Sequence, residues 1–404
     1  CALPILAKKQ AKPKSKPSLT IPLFQEWLDN KGITVRRNLL THRLETSGLG
    51  TVYDAETLES SLHVILHDEL KLEFSCSSSL VADLLAVVGG LHRYNPVIDF
   101  FKAAPPWDKT DYYEIVYQAY NLAPDDALSR ILIRKAFCQW YSLLYNNERK
   151  PYGGDGVLTL IGKQGCGKTR SIELLTPLPE YVKIGGFLNF ADKDSYIRAT
   201  SCWICELAEA ETTLRTDRER LKSFLTSATD SYRLPYGRAD TNLIRRTSFI
   251  ATANSNQLFI DETGNRRFWT IPIESVDCEL LEKMDRTMLW KQIENDVMTY
   301  GWQCFRLSAT EQKFLAERNG EHEKPLKAQS EVMDILSDAE NNPAQWEWVN
   351  QTVTEFKEYN AALRPYTVEA IGQALTRIGI NTQQARDNGK RTRVRCLPRR
   401  KYGG

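Results

Sequence analysis

Residues 162–169 read Gly-Lys-Gln-Gly-Cys-Gly-Lys-Thr, the spacing G-x-x-x-x-G-K-[ST]. Such a stretch is suited to holding a chain of phosphates. Gly162, Gly165 and Gly167 let the backbone fold into a nest, and its N–H groups, that of Cys166 among them, face phosphate oxygens. A helix starting here adds partial positive charge at its N-terminus. Lys168 reaches the β- and γ-phosphates, and the Thr169 hydroxyl helps hold Mg²⁺. An apolar strand, VLTLIG at 157–162, runs into the loop and a helical pattern follows it, as the motif requires. The alternative is a glycine turn that merely ends in Lys-Thr.

A phosphate loop needs a carboxylate at the end of a neighbouring strand. Cys202-Trp203-Ile204-Cys205 runs into Glu206, with Glu209 one turn further on. One carboxylate would hold Mg²⁺ through its water shell, and the other would orient the attacking water. Glu206 is assigned to the metal and Glu209 to the water, with the roles open to exchange. A third strand, Ser248–Asn254, ends in an asparagine where a polar group can meet the γ-phosphate and the water. Arg266 and Arg267 follow a turn close by. Paired guanidiniums there suit the γ-phosphate of a neighbouring subunit, stabilising charge in the transition state. Cys202 and Cys205 form a lone C-x-x-C inside a strand pattern and read as structural thiols. His63 and His67 share a helical face without a third ligand and read as packing or surface residues.

Positioning these groups requires alternating strands and helices. Residues 157–275 supply that alternation, with VLTLIG, the SCWIC segment, RRTSFIATAN and RRFWTIPI as strands, which predicts α/β with a largely parallel sheet. Asp217–Thr229 reads as a helix with Leu221, Phe224, Leu225 and Ala228 on one face. Upstream, Leu62–Leu72, Leu80–His92 and Ser129–Tyr145 carry helical periodicity. Downstream, Val368, Ile371, Leu375 and Ile378 line one face of a helix, and Gly379 is placed to cap it. The expected organisation is a basic disordered tail at 1–20, a mostly helical domain at 21–150, an ATPase domain at 151–320 and a small module at 330–404. The 404 residues are 42% hydrophobic and 26% charged, with a net charge of +2, which excludes a disordered chain and a uniformly basic binder. No apolar run is long enough to span a bilayer. Nine cysteines, an odd number, read as reduced thiols of a cytoplasmic protein.

Six strings occur in a fixed order: HRYNPVIDFFKAAPPWD, LIGKQGCGKT, CWICELAE, LKSFLTSATDSYRLPYGR, RRTSFIATAN and DETGNRRFW. Together they resemble the virulence-associated protein E family of phage and mobile-element replication proteins, which is similar to superfamily-3 helicases within the AAA+ ATPases. The resemblance covers roughly residues 90–275. It implies an AAA+ core, ATP hydrolysis coupled to DNA unwinding or translocation, and a ring, a hexamer, with nucleotide at subunit interfaces in the cytoplasm of a bacterial host. It carries Lys168 and Thr169 as phosphate and Mg²⁺ binders, Glu206 as the Walker B carboxylate, Asn254 as sensor 1, and Arg266 or Arg267 as the arginine finger. The chain departs from the common Asp-Glu pair by having Glu206-Leu207, which leaves the catalytic glutamate open. Many relatives carry a primase domain upstream; residues 1–90 show no sign of one.

Two basic zones are candidates for DNA. Superfamily-3 helicases project a hairpin into the central pore from the place that Asp230–Arg246 occupies here. There Arg233 and Arg238 would contact phosphates and Tyr236 would stack. The Arg245-Arg246 pair serves either this hairpin or the nucleotide site. The second zone, Arg386–Lys401, holds eight basic residues against one acid. It resembles the wing of a winged-helix module, with Lys390, Arg391 and Arg393 facing phosphates. The reading is an ATP- and Mg²⁺-dependent helicase acting on single-stranded or forked DNA, self-associated and not membrane-bound. The rival reading is an origin-binding initiator that uses ATP as an assembly switch and unwinds little.

Overall fold

A computed structural model describes residues 16–49, 55–186, 188, 190, 192–207, 218–232, 241–254, 265–321, 327–387 and 390–401. These fall into two compact units, one running through residue 254 and from 266 to 315, the other from 316 onward. Among the described residues no helix is long and apolar enough to cross a membrane.

The chain begins with α1 (Ile21–Lys31), which has Pro22 in its first turn and is closed by Gly32 at φ 67°. Strands β1 (Thr34–Asn38) and β2 (Leu44–Ser47) pair antiparallel, and α2 (Ala55–Glu73) and α3 (Ser78–Leu91) follow. The short β3 (Arg93–Tyr94) returns parallel to β1, giving the order β2-β1-β3. Phe24, Trp27, Leu28, Leu66, Leu70, Val81 and Val88 form the core beneath this sheet. The region expected to be mostly helical therefore contains a small sheet. Its strands are two to five residues long, and β1 and β3 carry arginines, so they offer little apolar alternation to read.

Each of the next three helices starts at a side-chain cap. Asn95 accepts from the Val97 and Ile98 amides at α4 (Pro96–Ala103), Asp111 caps α5 (Tyr112–Ala119), and Asp126 caps α6 (Ala127–Leu144). The helix read at Ser129–Tyr145 is α6. Its Phe137 and Trp140 are fully buried and share one apolar cluster with the main sheet and with Trp290.

That sheet is built from β4 (Val157–Ile161), β5 (Val182–Gly186), β6 (Ile204–Leu207), β9 (Ser248–Ala253) and β10 (Phe268–Pro272). The fold is mixed α/β: all four pairings are parallel, and the order is β10-β4-β9-β6-β5. Helices α7 (Lys168–Leu174), α8 (Lys193–Thr200) and α9 (Arg218–Leu225) fall between its strands. Every residue of β4, β6 and β9 is buried, the mark of a strand covered on both faces. Strand β5 was not among the expected strands. Its sequence, VKIGG, carries a lysine and two glycines, and its pairing with β6 shifts register after Lys183. The helix expected over Asp217–Thr229 ends at Leu225. Thr229 instead opens β7 (Thr229–Tyr232), which pairs antiparallel with β8 (Thr241–Ile244) in a hairpin. After β10 come α10 (Cys278–Lys283), α11 (Arg286–Tyr300) and α12 (Ala309–Glu321).

The second unit orders its elements as α13 (Lys327–Asn341), β11 (Trp346–Gln351), α14 (Val353–Tyr359), α15 (Val368–Arg377), β12 (Gln383–Asp387) and β13 (Lys390–Arg400). A capping box, Thr352 with Glu355, starts α14. Gly379, at φ 85°, follows the end of α15. The sheet is antiparallel in the order β11-β13-β12. Val332, Phe356, Leu363, Ile371, Leu375 and Leu397 fill its core.

Candidate nucleotide site

The glycine loop leaves the carboxyl end of β4 and enters α7. Gly165 and Gly167 take φ values of 80° and 94°, a region that costs a side chain dearly. Gly162 is required for a different reason: a Cβ there would lie 2.1 Å from the Ile273 carbonyl oxygen. The loop is also pinned from outside, since the Val276 amide donates to the Cys166 carbonyl at 2.9 Å. The Lys168 ammonium is buried, donating to the carbonyls of Gly162 at 2.7 Å and Lys163 at 2.8 Å, and to the Asn254 Oδ1 at 3.3 Å. Lysine and asparagine, 86 residues apart in sequence, thus meet at the mouth of the loop.

Glu206 lies at the carboxyl end of β6 and is fully buried. Its Oε1 accepts from the Thr169 hydroxyl at 2.7 Å and from the Thr252 hydroxyl at 2.9 Å, and its Oε2 accepts from the Gly185 amide at 3.0 Å. Among the described residues no partner of this carboxylate carries a full positive charge. A hydroxyl and a carboxylate in contact beside a glycine loop are hard oxygen donors of the type that Mg²⁺ takes with its waters. The positive φ values, the closed space at Gly162 and this donor pair fit a phosphate chain with its metal.

The structure brings Gly162, Gly165, Cys166, Gly167, Lys168, Thr169, Glu206 and Asn254 to one end of the sheet. Sequence reasoning missed Thr252 and Gly185. Thr252 sits two residues before Asn254, so strand alternation puts both on one face, a signal that was available. Gly185 had none, because its role is a backbone N–H.

Arg266 and Arg267 form a single 3₁₀ turn just before β10. Phe268 is paired with Val157, at the start of β4, while the glycine loop begins after Ile161, at its other end. Five residues of strand separate the two ends, about 16 Å. Neither arginine is brought to its own chain's loop. Arg266 is exposed, and the Arg267 Nε is buried without a hydrogen-bond partner among the described residues.

Glu209, Arg233, Tyr236 and Arg238 lie outside the described residues. The hairpin that carries the last three is described at its base, β7 and β8. Arg245 does not serve the nucleotide site. It is buried against Asp230, with its Nε 2.9 Å from Oδ2, and stacks over Phe224 at 4.3 Å. Lys390 and Arg391 lie on the backbone of β13, which pairs them with Asp387 and Arg386, and Arg393 on the same strand is exposed. Cys202 and Cys205 are buried free thiols. A hydrogen bond with Cys202, together with burial, pushes the Cys205 thiol well up from its ordinary range.

Fold and site together define a class, an α/β protein whose parallel sheet presents a glycine-rich loop and a buried carboxylate at one end. Residues 102–324, more than half of the chain, match the model of the Virulence-associated protein E-like domain. The chain belongs to that family. Solved structures that resemble it include "The A form apo structure of NrS-1 C terminal region-CTR", at 16% identity and a TM-score of 0.45 over 92% of this chain and 98% of that one. The apo structure of the NrS-1 C terminal region is similar at 16% identity and a TM-score of 0.46, with the same coverage. No curated protein matches the chain.

Proposed function

We propose that the chain is an ATP-hydrolysing motor of phage or mobile-element replication, an AAA+ core of superfamily-3 type that works on single-stranded or forked DNA as a ring. The observation that carries the reading is the Thr169–Glu206–Thr252 cluster beside Lys168 and Asn254. Strand β9 lies between the loop strand and the Glu206 strand, so its end puts Asn254 between the two. In this reading the amides of residues 162–169 bind the phosphates, and Lys168 leaves its loop carbonyls to meet them. Thr169 and Glu206 would hold Mg²⁺, which would supply charge neutralisation at the phosphates. Asn254 orients the attacking water, and Glu206 or Glu209 polarises it. Arg266 or Arg267, remote from its own loop, serves the site of the next subunit.

A second reading is favoured by the second unit. Its order of helix, strand, two helices and a basic hairpin supports a winged-helix reading. This supports an origin-binding initiator for which ATP is an assembly switch. Strand displacement on a forked substrate separates the two, since a switch binds duplex origin and displaces nothing.

The motor is tested by turnover. Lys168→Ala and Arg267→Ala should each reduce ATP hydrolysis by roughly 10²-fold or more, with Arg267→Ala still binding nucleotide. Mixing the two variants should restore part of the activity, because a mixed ring contains some sites with both residues intact. Wild-type turnover in Lys168→Ala would remove the nucleotide assignment, and no gain on mixing would remove the shared site.

A further inference from the structure

The base of the β7–β8 hairpin adjoins a second concentration of positive charge. Arg37 on β1 and Arg93 on β3 are direct partners across a parallel ladder. Like charges set opposite each other destabilise a sheet. Arg246, two residues beyond β8, joins them. Burial, with Arg93 as a further cause, brings its guanidinium down to about 10, against the pull of Glu148. Burial and Arg93 also lower Arg37. The hydrogen bonds of Arg37 and Arg246 described here end on backbone carbonyls, those of His42 at 3.0 Å and Ile244 at 3.4 Å. Glu148, 2.7 Å from Arg93, is the carboxylate that faces the group, and both side chains of that pair are more than half exposed. Of the other acids nearby, Asp230 is taken by Arg245, while Glu45 accepts from Asn38 and Tyr94. The His42 ring rests edge-on against Tyr232 of β7, so the turn after β1 is packed on the hairpin.

We infer that Arg37, Arg93 and Arg246 form a phosphodiester-binding site for single-stranded DNA at the hairpin's base. Three clustered guanidiniums, of which only Arg93 is ion-paired to the exposed Glu148, make a site whose repulsion an anionic backbone relieves, and guanidinium forks suit phosphate oxygens. Glu148 occupies Arg93 until a phosphate displaces it. The inference rests on the DNA reading above and adds a contact that reading lacks.

Two exposed positions test it with opposite signs in the full chain. The probe is a fluorescent oligothymidylate titrated across a salt series. Arg93→Ala should weaken binding and lower the slope of log K against log salt by about 0.7, one contact on a single strand. Glu148→Gln should tighten binding, because a competing carboxylate is removed. An unchanged thermal melt in each variant reports an intact fold. If both variants bind as wild type while Arg238→Ala weakens binding, the site is overturned and the DNA reading stands. If the wild-type chain binds no oligothymidylate, the DNA reading itself falls, and this site with it.

Discussion

Glu206 and Asp230 are both buried carboxylates of the first unit, at 0% and 3% exposure, yet their surroundings are opposite in kind. Asp230 is closed by a guanidinium: Arg245 reaches both of its oxygens, and Tyr196 donates to Oδ1 at 2.8 Å. Glu206 receives two hydroxyls and one amide. Neutral donors satisfy its lone pairs without cancelling its charge. A buried pair such as Asp230–Arg245 is complete and ties the two legs of the hairpin together at its base, against Tyr196 of α8 and the Phe224 carbonyl of α9. A buried carboxylate held only by dipoles retains attraction for a cation. Burial alone therefore does not separate a structural acid from a functional one; the charge of its partners does.

The comparison can be broken from either side. Asp230→Ala should cost about 3–5 kcal/mol, because it leaves the Arg245 charge buried and unpaired. Chemical denaturation measures this, and a loss below 1 kcal/mol would mean the pair is not the structural anchor described. Glu206→Gln should behave in reverse. With its carbonyl oxygen turned to the Gly185 N–H and its NH2 donating to the two hydroxyl oxygens, the isosteric amide stays hydrogen-bonded, so stability should hold while ATP turnover falls roughly 10²- to 10³-fold. A large drop in melting temperature with turnover spared would reverse the two assignments.

A smaller effect sharpens the picture at the hairpin. Burial, with Arg246 and Arg37 beside it, lowers His42 to about 4, against the pull of Asp230. The unfolded imidazole titrates near 6.5. Its contribution to stability is therefore whole above pH 6.5 and is lost as pH falls toward 4, at no more than about 1.4 kcal/mol per unit. His42→Asn, a residue that tolerates the φ of 60° found there, should flatten stability against pH in that window. An identical slope in both proteins would remove His42 from the account.

Local geometry is legible in the residues themselves. Eight consecutive residues specify the glycine loop, because positive φ and a helix start depend on near neighbours. The same holds for the buried strands β4 and β9, which lie within the expected VLTLIG and Ser248–Asn254. Strand β5 and the β1–β3 sheet escaped, since short strands with glycine or arginine carry no apolar period. Tertiary structure alone decided the meetings. Inserting β9 between β4 and β6 is a nonlocal choice, and it is what brings Asn254 to Lys168 and Thr252 to Glu206. The same sheet carries Arg267 away from the loop of its own chain, and a parallel ladder sets Arg37 against Arg93. Strand order and register follow from how whole faces pack, which no spacing along the chain records.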